Sequence, residues 1–416
     1  MHNREIKSII QRTSTKKTGR LIVLTGARQT GKTTLAKTIF KDFEYLSIED
    51  PILRTQFASL SASQWKDLFP KAILDEVQKE PILIESIKSV YDQWDFPSYI
   101  LLGSSQLLLL QKVKESLAGR VSIFEIFPLT FPELATKNWE DAVKKSIFIE
   151  MMIQGEIPEF LPSFLLDKSI SSKLNAWEHY NKFGAYPALS DEQLDEDDKF
   201  RWLSNYVKTY LERDIRDLAN FRDLEPVIKL QKLLASHTAN LLNISEIAKR
   251  LGLNNKTVQK YIQYFEISYQ IILLPAWHSN LNKRLSKMPK IHLMDFGILQ
   301  SILQKKGGMT GNEFESAIIT EMYKQLKNNE IKAEMFHLRT HDGKEVDLII
   351  EFENYYLAFE IKQTDKISIS DARHLRDLQD ILDKPLKKAF ILSADQQTKY
   401  FYNNSIIAVN FAMFLG

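Results

Sequence analysis

The chain has 416 residues, 44% hydrophobic and 26% charged, with a net charge of +2 and no cysteine. This describes a soluble globular protein of two or three domains, since the length exceeds one ordinary core. Disulfides and thiolate metal sites are excluded, and near-neutral charge leaves only local basic surfaces for any anionic partner. Residues 1–20 are charged and lack a signal peptide's apolar core, and the apolar runs at 98–110 and 267–277 are too short or interrupted to span a bilayer. A cytoplasmic protein with no membrane partner is expected.

In chain order, the first element is an apolar run from Leu21 to Leu24 that turns through "GARQTGKTT" (26–34) into a helical pattern. Strand, glycine loop and helix form the context that makes a G-x-x-x-x-G-K-[ST] match a Walker A motif. Gly26, Ala27, Arg28, Gln29, Thr30, Gly31, Lys32, Thr33 and Thr34 are therefore candidates to bind nucleotide. Backbone N–H groups would cradle phosphates, Lys32 would reach the β- and γ-phosphates of ATP, and the Thr33 hydroxyl would ligate Mg²⁺.

Further strands are expected at 44–50, 71–78, 98–105 and 120–129, with helices between them, as in a doubly wound parallel sheet. The segment at 71–78 ends in Asp75-Glu76, a Walker B pattern. Asp75 would hold the Mg²⁺ shell and Glu76 would polarise the attacking water, a base that an ATPase needs and a small-molecule kinase does not. In "LLGSSQ" (101–106), Ser104 and Ser105 stand where a γ-phosphate sensor belongs, although hydroxyls at a strand end are also ordinary turn chemistry.

The stretches "GARQTGKTT", "LDEVQ", "GSSQ" and "SLAGR" together resemble the bacterial and archaeal AAA-type ATPases that carry a C-terminal domain of unknown function, DUF4143. The resemblance implies an α/β fold: an AAA+-like P-loop core (1–135), a helical lid (136–230), a winged helix-turn-helix (231–300) and a nuclease-like end (301–416). It also implies that Arg120 contacts nucleotide or a neighbouring subunit of a ring-like homo-oligomer; on residues alone Arg120 is equally a surface arginine. "FGAYPALS" (183–190) and "YVKTYLERDIRDL" (206–218) look like elements of the same family. The latter groups Glu212, Arg213, Asp214 and Arg216, a charge cluster of the kind found on solvated faces, with Arg213 as a candidate arginine finger.

Residues 243–275 read as two short helices, with Ser245 capping the first, Gly252 in the turn and Asn254 or Asn255 capping the second. The apolar runs that follow are expected to form a wing, joined by a loop carrying Lys283, Arg284, Lys287 and Lys290. If the unit binds DNA, Asn255, Lys256, Thr257, Lys260 and Lys287 would contact it. The same unit is equally suited to packing beside the ATPase core.

The last region places a helix at 311–326, with Phe314, Ile318 and Met322 on one stripe and Glu315 and Glu321 near it. Two strands with Asp347 on one and Glu360-x-Lys362 on the next follow, then a helix and another strand. This order resembles the PD-(D/E)xK nuclease core. It implies that Asp347 and Glu360 share Mg²⁺, that Lys362 steadies the attacking water, and that Glu315 is a further acid. A turn near Glu353-Asn354 puts Asp347 opposite Glu360. The expected activity is Mg²⁺-dependent ATP hydrolysis on or with DNA, with a C-terminal domain that binds or cuts it. The alternative is an ATP-dependent switch that grips a protein partner through a degenerate, non-cleaving domain.

Overall fold

A computed structural model describes residues 2–103, 117, 119–210 and 224–416. The first sheet contains β1 (Leu21–Thr25), β2 (Glu44–Ser47), β3 (Lys71–Asp75), β4 (Ser98–Leu102) and β5 (Ser122–Glu125), all parallel, in the order β2-β3-β4-β1-β5. Every residue of β1 is buried, as expected for a continuous Leu/Ile/Val run covered on both faces. One cover is the Ile82–Gln93 helix, whose buried Leu83, Ile84, Ile87 and Val90 repeat at helical spacing. The order inserts β4 between β1 and β3, so the ends of the glycine-loop strand and the Asp75 strand flank the end of β4. Ligands in open α/β sheets bind outside such carboxyl ends.

From residue 129 onward, helices and a second sheet share one continuous core that includes Phe131, Tyr180, Ile262, Phe314 and Phe414. Within it the Ile244–Leu251 and Asn255–Ile267 helices meet at Gly252, whose φ of 66° suits a residue without Cβ. Asn254 caps the second helix by accepting from Thr257 N, but the cap of the first is Asn243, accepting from Glu246 N at 3.1 Å, and not Ser245. β6 (Ile271–Leu274) and β7 (Lys290–Leu293) pair as a two-stranded antiparallel ribbon.

The second sheet is mixed: β8 (Glu334–Arg339), β9 (Glu345–Glu351), β10 (Tyr356–Lys362), β11 (Leu386–Ser393), β12 (Lys399–Phe401) and β13 (Ile406–Asn410), in the order β12-β13-β11-β10-β9-β8. The Gly311–Asn328 helix packs on β7 and β10. Its Thr310 cap and Glu313 form a reciprocal capping box, which fixes where the helix begins. Between β10 and β11 the expected helix is absent; the chain makes two short 3₁₀ turns, Ile369–Ala372 and Leu378–Asp380. Asp377, in a left-handed conformation at φ 53°, separates them and prevents a continuous helix. Among the described residues no helix is long and apolar enough to cross a membrane.

Candidate functional site

β1 runs directly into the loop at Gly26. A Cβ on Gly26 would lie 2.1 Å from the backbone oxygen of Ile126, and its φ is 144°, so sterics alone demand glycine. Gln29 at φ 61° and Gly31 at φ 88° complete the turn that opens the Lys32–Ile39 helix. The Thr30 hydroxyl donates to Ala27 O at 2.9 Å, and Lys32 Nζ folds back to Gly26 O at 2.9 Å and Ala27 O at 2.7 Å. The Thr33 hydroxyl donates to Asp75 Oδ2 at 2.7 Å, so the loop and the end of β3 meet. The same oxygen accepts from the Tyr45 hydroxyl at 2.9 Å. Glu76 adopts the left-handed region at φ 57°, and Gln78 Nε2 donates to its carboxylate. A non-glycine residue held there is a stored strain of the kind found at functional sites.

Beside the loop lies a cavity of about 1210 Å³, lined by Thr30, Gly31 and Thr34 on one side and by His2, Arg4, His179 and Lys199 on others. Sequence reasoning did not single out these four, because no local pattern marks them. Arg4 ties the wall together, donating to Thr30 O at 3.3 Å and Phe127 O at 2.6 Å and pairing with buried Glu133 at 3.3 Å. His179 Nε2 is buried without a hydrogen-bond partner among the described residues, and burial, aided by Lys199, lowers its pKa to about 4. Pro187, from "FGAYPALS", lies 3.8 Å from where a Cβ on Gly31 would stand.

Ser104, with Ser105, lies outside the described residues, as do Glu212, Arg213, Asp214 and Arg216. Arg120 is a correction: it precedes β5, at the amino edge of a parallel sheet whose carboxyl edge carries the loop, and it pairs with Asp92 at 2.7 Å. A β-strand of four or five residues puts it roughly 15 Å from the loop, beyond reach of nucleotide in its own chain.

A second charged cluster forms in the C-terminal sheet. The antiparallel register pairs Phe359 with Leu348, so the next step sets Glu360 opposite Asp347, and Ile361 N donates to Asp347 Oδ2 at 2.9 Å. Lys362 Nζ meets Glu360 Oε2 at 2.8 Å. The unexpected member is Lys290 of β7, whose ammonium lies 2.8 Å from Glu315, 3.1 Å from Glu345 and 3.8 Å from Asp347. Burial, then the charge of Asp347, pushes the Glu315 carboxyl up to about 8 and raises Glu360 well above its ordinary value. Burial opposes the Lys290 charge, yet the surrounding carboxylates outweigh it and its pKa ends raised. Among the described residues no group of three or more acidic or histidine side chains is arranged to hold a metal ion. In this arrangement the cluster fits an ammonium, not Mg²⁺.

The basic stretch expected as a loop is a short helix, Leu281–Ser286, with Lys290 opening β7, and both Arg284 and Lys290 are turned inward. Arg284 pairs with Glu351 at 2.7 Å and lies over the rings of Phe336 and Trp277, so neither it nor Lys290 is presented to a phosphate backbone. Nothing is described of the Lys283 side chain, and Lys287 is half-buried. On the Asn255–Ile267 helix, Asn255, Lys256 and Lys260 are exposed and Thr257 is partly occupied with its Asn254 cap.

A family model described as an AAA domain matches residues 18–135, and one described as a domain of unknown function, DUF4143, matches 310–414. The chain carries an AAA domain followed by a DUF4143 domain. A further domain of unknown function, DUF8612, matches 174–307. An uncharacterized protein of Mycobacterium tuberculosis is 26% identical over 86% of this chain and 74% of its own length. Another, from Methanocaldococcus jannaschii, is 26% identical over 83% of this chain and 76% of its own. Among solved structures, a Walker-type ATPase of Pyrococcus abyssi aligns with 72% of this chain and 95% of its own at 14% identity and a TM-score of 0.44, too low to assign a fold by itself.

Proposed function

We propose that this protein is a Mg²⁺-dependent ATP hydrolase. The observation that carries the reading is the 2.7 Å contact between the Thr33 hydroxyl and Asp75 at the mouth of the glycine loop. Two oxygen donors so placed suit a hard divalent ion, with Thr33 and Asp75 holding it against the β- and γ-phosphates, where it would neutralise developing charge. Lys32 exchanges its two loop carbonyls for phosphate oxygens, and Glu76 orients the attacking water once its bond to Gln78 is released. The cavity walled by His2, Arg4 and His179 receives the base and ribose.

Nucleotide state is felt in the second half of the chain. Ala27 of the loop packs in one cluster with Phe127, Tyr269 and Met294, and the Tyr269 hydroxyl donates to Glu125 at 3.0 Å. Asp295, next to Met294, accepts from Ala185 N at 2.7 Å in the stretch that reaches Gly31. Action on DNA is a second reading, favoured by the exposed Lys256 and Lys260 one helical turn apart. In that reading the C-terminal domain grips without cutting, because Lys290 and Lys362 stand among its carboxylates. Homo-oligomerisation belongs to the same reading, with Arg120 meeting a neighbouring subunit.

ATP turnover in Mg²⁺, with and without single-stranded, duplex and branched DNA, tests both. Turnover stimulated by DNA and weakened by Lys256→Glu/Lys260→Glu is expected; each lost phosphate contact lowers the salt slope by about 0.9. Turnover indifferent to every DNA leaves the protein-gripping switch. No turnover at all overturns the hydrolase.

A further inference from the structure

The carboxylate cluster draws on elements far apart in the chain: Glu315 from the Gly311–Asn328 helix, Glu345 and Asp347 from β9, Glu360 from β10, and Lys290 from the two-stranded ribbon. Its centre is deeply placed, with Lys290 4% exposed, Glu360 3% and Asp347 11%, while Glu345 and Lys362 reach the surface at 36% and 38%. Acidic groups outnumber basic ones here. Glu315, Glu345, Asp347 and Glu360 face Lys290 and Lys362, and burial favours a proton on Glu315 and Glu360, which evens the charge. Glu360 Oε1 is buried and receives no hydrogen bond from any described donor. Oxygen donors in excess, one of them orphaned, are what a hard divalent ion requires. Yet the space among Glu315, Glu345 and Asp347 is taken by one side chain of the same protein.

We propose that Lys290 is an internal cation that occupies this cluster, closing it to divalent ions while it clamps β7 onto the C-terminal sheet. The ammonium has the size and charge sign to stand in for an ion, and its three carboxylate neighbours lie at 2.8, 3.1 and 3.8 Å. A second ion pair ties the segment before β7 to the same sheet, Arg284 holding Glu351 at the far end of β9. Removal of the Lys290 charge leaves buried carboxylates uncompensated, which is costly unless a cation replaces it. The cluster therefore exchanges an internal lysine for an external ion only when β7 withdraws. The clamp stands whether or not the glycine loop hydrolyses ATP.

Mn²⁺ binding to the full chain without nucleotide, counted by the loss of the free-ion electron paramagnetic resonance signal, tests this. The unaltered chain and Asp347→Asn should bind equal numbers of Mn²⁺. Lys290→Gln should gain one site, at least tenfold tighter than any Asp347-dependent binding in the unaltered chain, and Lys290→Gln/Asp347→Asn should lose it. Lys290→Arg should gain none. If the unaltered chain loses a site on Asp347→Asn, or folded Lys290→Gln gains none, the proposal fails. Should Lys290→Gln not fold, the comparison of the unaltered chain with Asp347→Asn decides alone.

Discussion

At the glycine loop, Lys32 and the backbone that would cradle phosphate belong to one turn and one helix start, and Asp75 and Glu76 arrive together from the end of one strand. At the carboxylate cluster, the charged groups come from four elements, one helix, β7, β9 and β10, and the lysine that matters most comes from outside the C-terminal sheet. The first site is held by local sterics and its lysine rests on its own carbonyls, ready to exchange them for phosphate. The second is held by tertiary packing, and its lysine is committed to carboxylates. A local site is built to be filled by a ligand. A distributed one registers whether its parts are together.

Changes that break each kind of construction should differ accordingly. The largest effect is expected from Gly26→Ala, because the added Cβ would meet the backbone of Ile126, which cannot move aside cheaply. Strain and overpacking should cost roughly 3 kcal/mol, read as a lower urea midpoint, and nucleotide binding should be lost with it. Lys32→Ala should leave the fold intact and weaken ATP affinity by about 2 kcal/mol, or roughly thirtyfold, measured by calorimetry. Arg284→Ala sharpens the other side of the comparison. It removes a largely buried partner of Glu351 but leaves Lys384 at 2.7 Å, so about 1–2 kcal/mol should be lost in denaturant unfolding, with ATP affinity unchanged.

A further effect concerns pH. The carboxyl oxygens of Glu5 are buried, and burial together with the charge of Glu133 pushes its carboxyl up to about 8. The folded chain therefore binds this proton more tightly than the unfolded one. Its contribution to stability is complete below about pH 4.5 and lost as pH rises towards 8. Glu5→Gln should match the unaltered chain at pH 5 and exceed it at pH 8.5, by a few degrees in melting temperature for each 1–2 kcal/mol or so. Equal melting at both pH values would show that Glu5 does not carry this dependence.

Much of the first site was legible in the sequence because its signals are local. A buried aliphatic run, glycines where φ is positive, and an acidic pair closing another strand each lie within a few residues. The hairpin register of β9 and β10 was legible too, since alternation fixes which side chains share a face, and Asp347 does stand opposite Glu360. Lys290 was not. Between Pro289 and an apolar strand it reads as a wing lysine facing solvent, and only tertiary packing reveals that the strand's other neighbour is a nest of acids. Arg120 misled for a related reason: a motif gives spacing along the chain, but the end of the sheet on which it falls depends on strand direction. Asn243 and Ser245 are both good capping residues, so composition could not choose between them. β12 and β13 were missed because the strands are short, and the turn between them runs through Tyr402, Asn403 and Asn404, all at positive φ.

The hydrolytic role of Glu76 is the centre of the account, and it is tested by identifying the nucleotide that stays bound. The full chain is mixed with ATP and Mg²⁺, freed of unbound nucleotide, quenched at intervals, and its bound nucleotide is resolved by chromatography. For the unaltered chain the bound species should become ADP. For Glu76→Gln it should remain ATP, with conversion slowed roughly 10²–10⁴-fold, because binding is kept and the water-orienting carboxylate is lost. Conversion to ADP at the unaltered rate in Glu76→Gln would contradict the account.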